Sequence, residues 1–481
     1  MTSNRILQSV AGLVPMGVFF AILLVSSCKD DTPRVTHAEI NQWIVDSMRY
    51  WYYWSTAIPD NNQLDFNASP ETFFARILNK PTDRFSVIAK AEDLKNQSAG
   101  IIRTSGLGFA FFGMGSGRAG VVVRYVLEGS PADKAGIERG DIFTRVNGMA
   151  LTVDNGGAVQ NYGPLQGNET FRLTKGILEE NGTIREGGEV SLTPVAGFQE
   201  KAIHKESVIT TDNGTKVAYL FYNRFLNQPQ ELVDAFGRFK AAGVTELIVD
   251  ERYNLGGSVE IAALLSALIH QGFAINSPFI QYDFNSNFND VTRTYADMFG
   301  AVNGPLVANR NLGLSRVFIL ATRNSASASE LLINNLRPFL GMSGVIHIGS
   351  TTYGKDEASI IIENSSPRFD GQYAWGIQPI VLKYKNKDGV GDFGLGIQPT
   401  YEVQETLPFA PIGSPIDPLI AKALSIIDPG MQAGLNRQMG IESQRRSIGA
   451  GLLEAANKDL AKPRPLDVTE SLKGGNALQF N

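Results

Sequence analysis

The segment 324-NSASASELLINN-335 places three hydroxyls at alternate positions ahead of an apolar run. Such a stretch can be a flexible tether, the small-residue opening of a helix, or a nucleophile with two bystanders. Serine attacks a carbonyl only when a neighbouring base removes its proton. The usual base is histidine, and the chain has four: His37, His204, His270 and His347. None shares a loop with the small and hydroxylic residues, and His347 lies inside an apolar strand, where it reads as a core or face residue. The chain has no G-x-S-x-G elbow, no H-E-x-x-H and no cysteine–histidine cluster, so neither a metal nor a cofactor is expected. Lysine remains. It can act as a base only where burial penalises its charged form. Lys355 follows Tyr353-Gly354 at a strand end, where burial is possible, and spacing alone leaves an exposed structural lysine equally open.

The elements that must position these groups alternate strand and helix. Strand 216-KVAYLFY-222 precedes a helix from Pro229 to Ala242, with Leu232, Phe236 and Phe239 on one face. Strand 244-VTELIVD-250 precedes a helix from about Ser258 to His270; strand 316-RVFILAT-322 precedes the serine segment, and 345-VIHIG-349 follows. Repeated units of this kind predict a mainly parallel sheet covered by helices. Ligands in such sheets sit at the carboxyl ends of the strands. Three loops fall there: 250-DERYNLGGS-258, 322-TRNSASASE-330 and 349-GSTTYGK-355. A hydroxyl, a lysine and a glycine pair converging in one crevice suit acyl transfer.

Upstream, 106-GLGFAFF-112 precedes 120-GVVVRYVLEGSPADKAGIERGDIFTRVNG-148, a strand, a short Ser130-Pro131 helix, a turn and a hairpin strand. This arrangement resembles a PDZ domain, with Leu107, Gly108 and Phe109 in the loop that binds a peptide carboxylate. Backbone N–H groups pointing into one concavity make such a site. The unit should close near 189-EVSLTPV-195, after one more strand around 170-TFRLT-174. Before it, 37-HAEINQWIVDSMRYWYYWS-55 and 69-SPETFFARILN-79 carry helical apolar spacing, and the aromatic cluster reads as core rather than a ligand platform.

The segments S-A-S-A-S-E and T-Y-G-K, with a D-x-R-x-N-x-G-G loop and a late 394-GLGIQP-399, resemble the C-terminal processing peptidases, or tail-specific proteases. The resemblance covers roughly residues 37–428. It implies an α/β protease core of crotonase-like (ClpP-like) fold beside a β-rich PDZ domain and a small helical N-terminal domain. It also implies Ser327 as nucleophile, Lys355 as general base, and an oxyanion hole built from the N–H of Ala328 and one from Gly256 or Gly257. Asp250 and Arg252 are expected to shape the glycine loop by pairing. The chain departs from the pattern twice. Many members carry a glutamine four residues after the lysine, where this chain has Ser359, a possible support for the amine. The spacing of 28 between Ser327 and Lys355 is somewhat long, and 337-RPFLGMSG-344 is the expected extra loop.

Lysine and arginine total 43 against 48 acidic residues, a net charge of −5, which argues against nucleic acid as the main partner. No apolar run after residue 27 has membrane-spanning length. The start does look like a targeting segment: Arg5, an apolar 11-AGLVPMGVFFAILLV-25, then 25-VSSC-28, which resembles the bacterial lipobox. The chain's single cysteine, Cys28, would carry the lipid, and loss of residues 1–27 would take Arg5 and leave −6. The expected organisation is signal peptide 1–27, tether 28–36, helical domain 37–98, PDZ-like domain 99–196, protease domain 197–430 and a partly disordered tail 431–481. The expected protein is a serine endopeptidase anchored in the bacterial cell envelope, on its periplasmic face or the outer-membrane surface, that takes protein substrates by their C-termini. The rival expectation is a non-catalytic peptide- or lipid-binding lipoprotein on the same scaffold. Oligomeric state is unassigned.

Overall fold

The computed structural model describes residues 34–431 except 180 and 365, together with 434, 452, 453, 456, 457 and 460. The expected signal peptide, lipobox and Cys28 lie outside the described residues, as does most of the expected tail. Among the described residues no helix is long and apolar enough to cross a membrane.

The helix His37–Trp51 begins at Thr36, whose Oγ1 accepts from the Glu39 N–H while the Glu39 carboxylate accepts from the Thr36 N–H. Its buried stripe Ile40, Ile44, Val45 and Met48 packs on Phe73, Phe74 and Ile77 of the helix Pro70–Ile77. The aromatic cluster is a packing surface: Trp51 stacks on Phe288, with ring centroids 5.0 Å apart.

The second unit is an antiparallel sheet ordered Leu107–Gly115, Arg118–Val126, Met149–Val153, Ile142–Val146, Phe171–Leu178, Ile184–Leu192. Its interior holds Phe111, Val121, Val123, Phe143, Leu151 and Leu173. A ribbon of Ile101–Thr104 against Val195–Gln199 ties together the chain entering and leaving the unit. The tail contributes to it. Asn457 accepts from the Phe111 N–H at 2.8 Å and donates to its carbonyl at 2.9 Å, and Leu452 bridges Phe112.

The third unit is a six-stranded sheet ordered Ile203–Thr210, Lys216–Tyr222, Glu246–Asp250, Val317–Ala321, Val345–Gly349, Tyr401–Glu402. The first pairing is antiparallel and the remaining four are parallel. Alternate side chains of each strand feed two cores. Ala218, Leu220, Leu247, Val249 and Ile319 pack under the helices Pro229–Ala242, Val259–Ile269 and Ala328–Leu340. Tyr219, Phe221, Ile248, Phe318 and Leu320 meet the helix Pro418–Ile427 on the opposite face. The first half of the expected extra loop at 337–344 is helix and the second half is a turn. Arg337–Leu340 prolongs the helix that starts at Ala328, with Pro338 inside it, and the turn begins at Gly341. A four-stranded sheet (Val291–Thr294, Pro278–Phe284, Ile380–Asn386, Glu357–Ser359) carries the segment after Lys355.

Candidate active site

The loop after Glu246–Asp250 is fixed by charge. Arg252, fully buried, donates to Asp250 through Nε at 2.9 Å and Nη2 at 2.7 Å, and to Asp417 through Nη1 at 2.7 Å. Asp250 also accepts from the Tyr219 hydroxyl at 2.7 Å. Asn254 then clamps the loop, donating to the Tyr222 carbonyl and accepting from the Gly256 N–H, each at 2.8 Å. Gly256 and Gly257 have φ of +102° and +147°, a region open to glycine. A Cβ at Gly256 would lie 2.8 Å from Ser327 Cβ and 3.1 Å from the Ala328 nitrogen, so this glycine is what lets the two loops touch.

The serine segment makes the turn that closes this contact. The Ser325 hydroxyl donates to the Glu251 carbonyl at 2.6 Å and accepts from the Thr322 N–H, while Ser329 donates to the Asn254 carbonyl at 3.0 Å. Two of the three hydroxyls therefore stitch this loop to the glycine loop. Ser327 stands between them, 2 % exposed, at φ +59° and ψ −113°, a strained conformation for a residue with a Cβ. It immediately precedes the helix Ala328–Leu340. The N–H of Ala328, at the first helical position, and that of Gly257 have no acceptor among the described residues, whereas that of Gly256 is taken by Asn254. Of the two glycines, Gly257 therefore offers the open donor.

Lys355 is 1 % exposed, its Nζ 5.2 Å from the centre of the Phe85 ring. Its carbonyl accepts from the Tyr384 hydroxyl at 2.8 Å. The group that brings Lys355 and Ser327 together is Glu330. Its Oε2 accepts from the main-chain N–H of both Ser327 and Lys355 at 2.8 Å, and its Oε1 from Gly354 N–H at 2.7 Å and the Thr352 hydroxyl at 2.5 Å. Burial pushes its carboxyl up to about 6 against the opposing pull of these hydrogen bonds. Sequence reasoning missed Glu330, although Ser327-x-x-Glu330 has the spacing of a helix capping box. Nearby, burial and then Asp356 push the Glu357 carboxyl up to about 7.

Ser359 is buried and accepts from Gln378 Nε2 at 3.0 Å. A glutamine thus reaches this corner from the strand Trp375–Gln378, where no spacing rule would look. His347 is a core residue, its Nε2 3.0 Å from the Ala321 carbonyl, and His270 stacks on Phe339. The strand Leu107–Gly115 pairs Leu107 with Val126 and Gly108 with Tyr125, and Gly106 N–H is taken by Thr104 Oγ1. Leu107, Gly108 and Phe109 line a cavity of about 360 Å³ whose wall also includes Gly256. Among the described residues no three His, Cys, Asp or Glu side chains gather as for a metal.

Three family profiles match in the order of the three units: "Peptidase S41 N-terminal domain" over residues 39–87, "PDZ domain" over 122–174 and "Peptidase family S41" over 216–403. A protein of Staphylococcus aureus (strain bovine RF122 / ET3-1) named "Probable CtpA-like serine protease" is 26% identical over 288 residues, 58% of this chain and 49% of its own. The chain thus spans about half the length of that relative. The "C-terminal processing peptidase, chloroplastic" of Tetradesmus obliquus is 26% identical over 349 residues, 69% of this chain and 67% of its own. A crystal structure of a Bacteroides fragilis NCTC 9343 protein assigned to the S41 proteases superposes with a TM-score of 0.65 at 26% identity, covering 80% of this chain and 97% of that one.

Proposed function

The chain belongs to peptidase family S41, and from that premise we propose that it is a serine endopeptidase working through Ser327 and Lys355. Ser327 Oγ attacks the scissile carbonyl, and the Lys355 amine takes the hydroxyl proton and passes it to the leaving amine. The same amine then activates the water that releases the acyl group. The oxyanion is received by the N–H groups of Ala328 and Gly257, fixed before the charge develops. The observation that carries this reading is Glu330, one buried carboxylate holding the main chains of both residues.

Digestion of an unfolded protein by wild type, Ser327→Ala and Lys355→Ala tests it. Wild type should cleave, and both variants should lose at least about 10³-fold in kcat. Equal cleavage by all three would overturn the assignment. The same proposal takes the PDZ-like unit as the receptor for substrate C-termini and Cys28 as a lipid anchor in the cell envelope. Detergent-phase partitioning of the expressed protein that is unchanged by Cys28→Ala would remove the anchor.

A further inference from the structure

The turn 83-DRFS-86 leads out of the N-terminal helical unit and is pinned on both sides. Asp83, fully buried, accepts through Oδ1 from the Phe85 and Ser86 N–H groups, each at 2.9 Å, and through Oδ2 from the Tyr52 hydroxyl at 2.7 Å. Ser86 Oγ accepts from the Ile380 N–H at 2.9 Å, and Val87–Lys90 pairs antiparallel with Trp375–Gln378. Between these ties, two side chains reach the loop that carries Lys355. Phe85, 6 % exposed, sets its ring against the Lys355 amine, 5.2 Å from ring centre to Nζ. Arg84 donates through Nη2 to the carbonyls of Gly354 and Gly394, the second at 3.2 Å, and its guanidinium lies 4.7 Å from the centre of the Phe85 ring.

We propose that Arg84 and Phe85 are positioning residues for the general base. Arg84 clamps the carbonyl of the residue before Lys355, and Phe85 walls the amine from water. The proposal rests on the peptidase reading above, in which Lys355 takes the Ser327 proton. A lysine stem is flexible and its head group strongly hydrated, so its lone pair meets a particular hydroxyl only where walls limit both rotamers and water. Water admitted at Phe85 would compete with Ser327 for that lone pair. The N-terminal unit is thereby part of the active site and not a spacer before it.

The test uses the full chain as wild type, Phe85→Ala, Phe85→Val, Phe85→Leu and Arg84→Met, each checked for folding by urea unfolding. Peptide hydrolysis gives kcat and KM. Acetylation of Lys355 by acetic anhydride, followed by mass spectrometry against exposed lysines of the same chain, reads access to the amine. Phe85→Ala should speed that acetylation at least about tenfold and lower kcat about 30-fold, with KM within about threefold of wild type. Phe85→Leu, which keeps apolar bulk, should stay within about threefold of wild type in both readouts. Phe85→Val should fall between the two, and it carries the test should Phe85→Ala not fold. Arg84→Met should lower kcat about tenfold and leave Lys355 protected. Acetylation and kcat at wild-type levels in the truncated variants overturn the wall, as does a loss that Phe85→Leu shares in full. A wild-type kcat in Arg84→Met overturns the clamp. If wild type cleaves nothing while truncation of Phe85 still exposes Lys355, the peptidase reading falls and the wall over the amine stands.

Discussion

Glu330 accepts four hydrogen bonds in its ionised form, and protonation would turn one of those acceptors into a donor facing N–H groups. Its carboxyl sits at about 6 in the folded chain against an ordinary 4.5. Between those values the folded state holds the proton more firmly than the unfolded one. Its contribution to stability therefore grows as pH falls through that window and is lost as pH rises past about 6. Activity should run the other way and fall below about pH 6, because the bond set that aligns Ser327 with Lys355 needs the carboxylate. Opposite pH trends of kcat and of this group's stability increment should appear when wild type and Glu330→Gln are compared by peptide hydrolysis and urea unfolding. Glu330→Gln should lose about 10²-fold in kcat and show no step near pH 6, since two charged hydrogen bonds are worth about 1.5–3 kcal/mol each. A step of unchanged position would assign it elsewhere.

At the scale of elements, the site is a helix start pressed against a glycine turn. Gly256→Ala would set a Cβ 2.8 Å from Ser327 Cβ and hold an unfavourable φ of +102°. Labelling of Ser327 by a fluorophosphonate should slow at least about 10²-fold, the scale of losing an oxyanion donor. Labelling at the wild-type rate would show that the two loops do not meet as described. These elements were largely readable in the sequence. Lys216–Tyr222 and Val345–Gly349 are short apolar runs, buried on both faces, and the structure gives them the expected bounds. The helix Pro229–Ala242 opens on Pro229 and stops at Gly243, which takes φ +71°. Periodicity could not show that the helix after Ser327 continues through Pro338. Nor could it show that Gln378 meets Ser359, because a pairing between distant strands leaves no local signature.

Across the whole molecule, Arg139 of the PDZ-like unit enters the charge cluster that fixes the glycine loop. It donates to Glu405 at 2.7 Å, to the Tyr253 hydroxyl at 2.9 Å and to the Ala410 carbonyl at 2.7 Å. Although burial works against it, the Arg139 and Arg252 guanidiniums hold the Glu405 carboxyl down to about 2. Arg139→Ala leaves buried acids short of a counter-charge and should cost about 3 kcal/mol in urea unfolding. A loss under about 0.5 kcal/mol would mean that the two units hold together without this cluster. Arg139 and Glu405 lie 266 residues apart, beyond any motif. The tail carries a further consequence. Leu107–Gly115 is the terminal strand of its sheet, Leu453 and Asn457 satisfy main-chain groups of Phe111 along it, and Leu452 bridges Phe112. A peptide seeking to extend the sheet at those residues therefore meets a seat already taken by Leu453 and Asn457 of the same chain. On the proposed reading, a substrate tail placed along that stretch of strand would compete with a tethered segment of the same chain, which would set the threshold it must exceed.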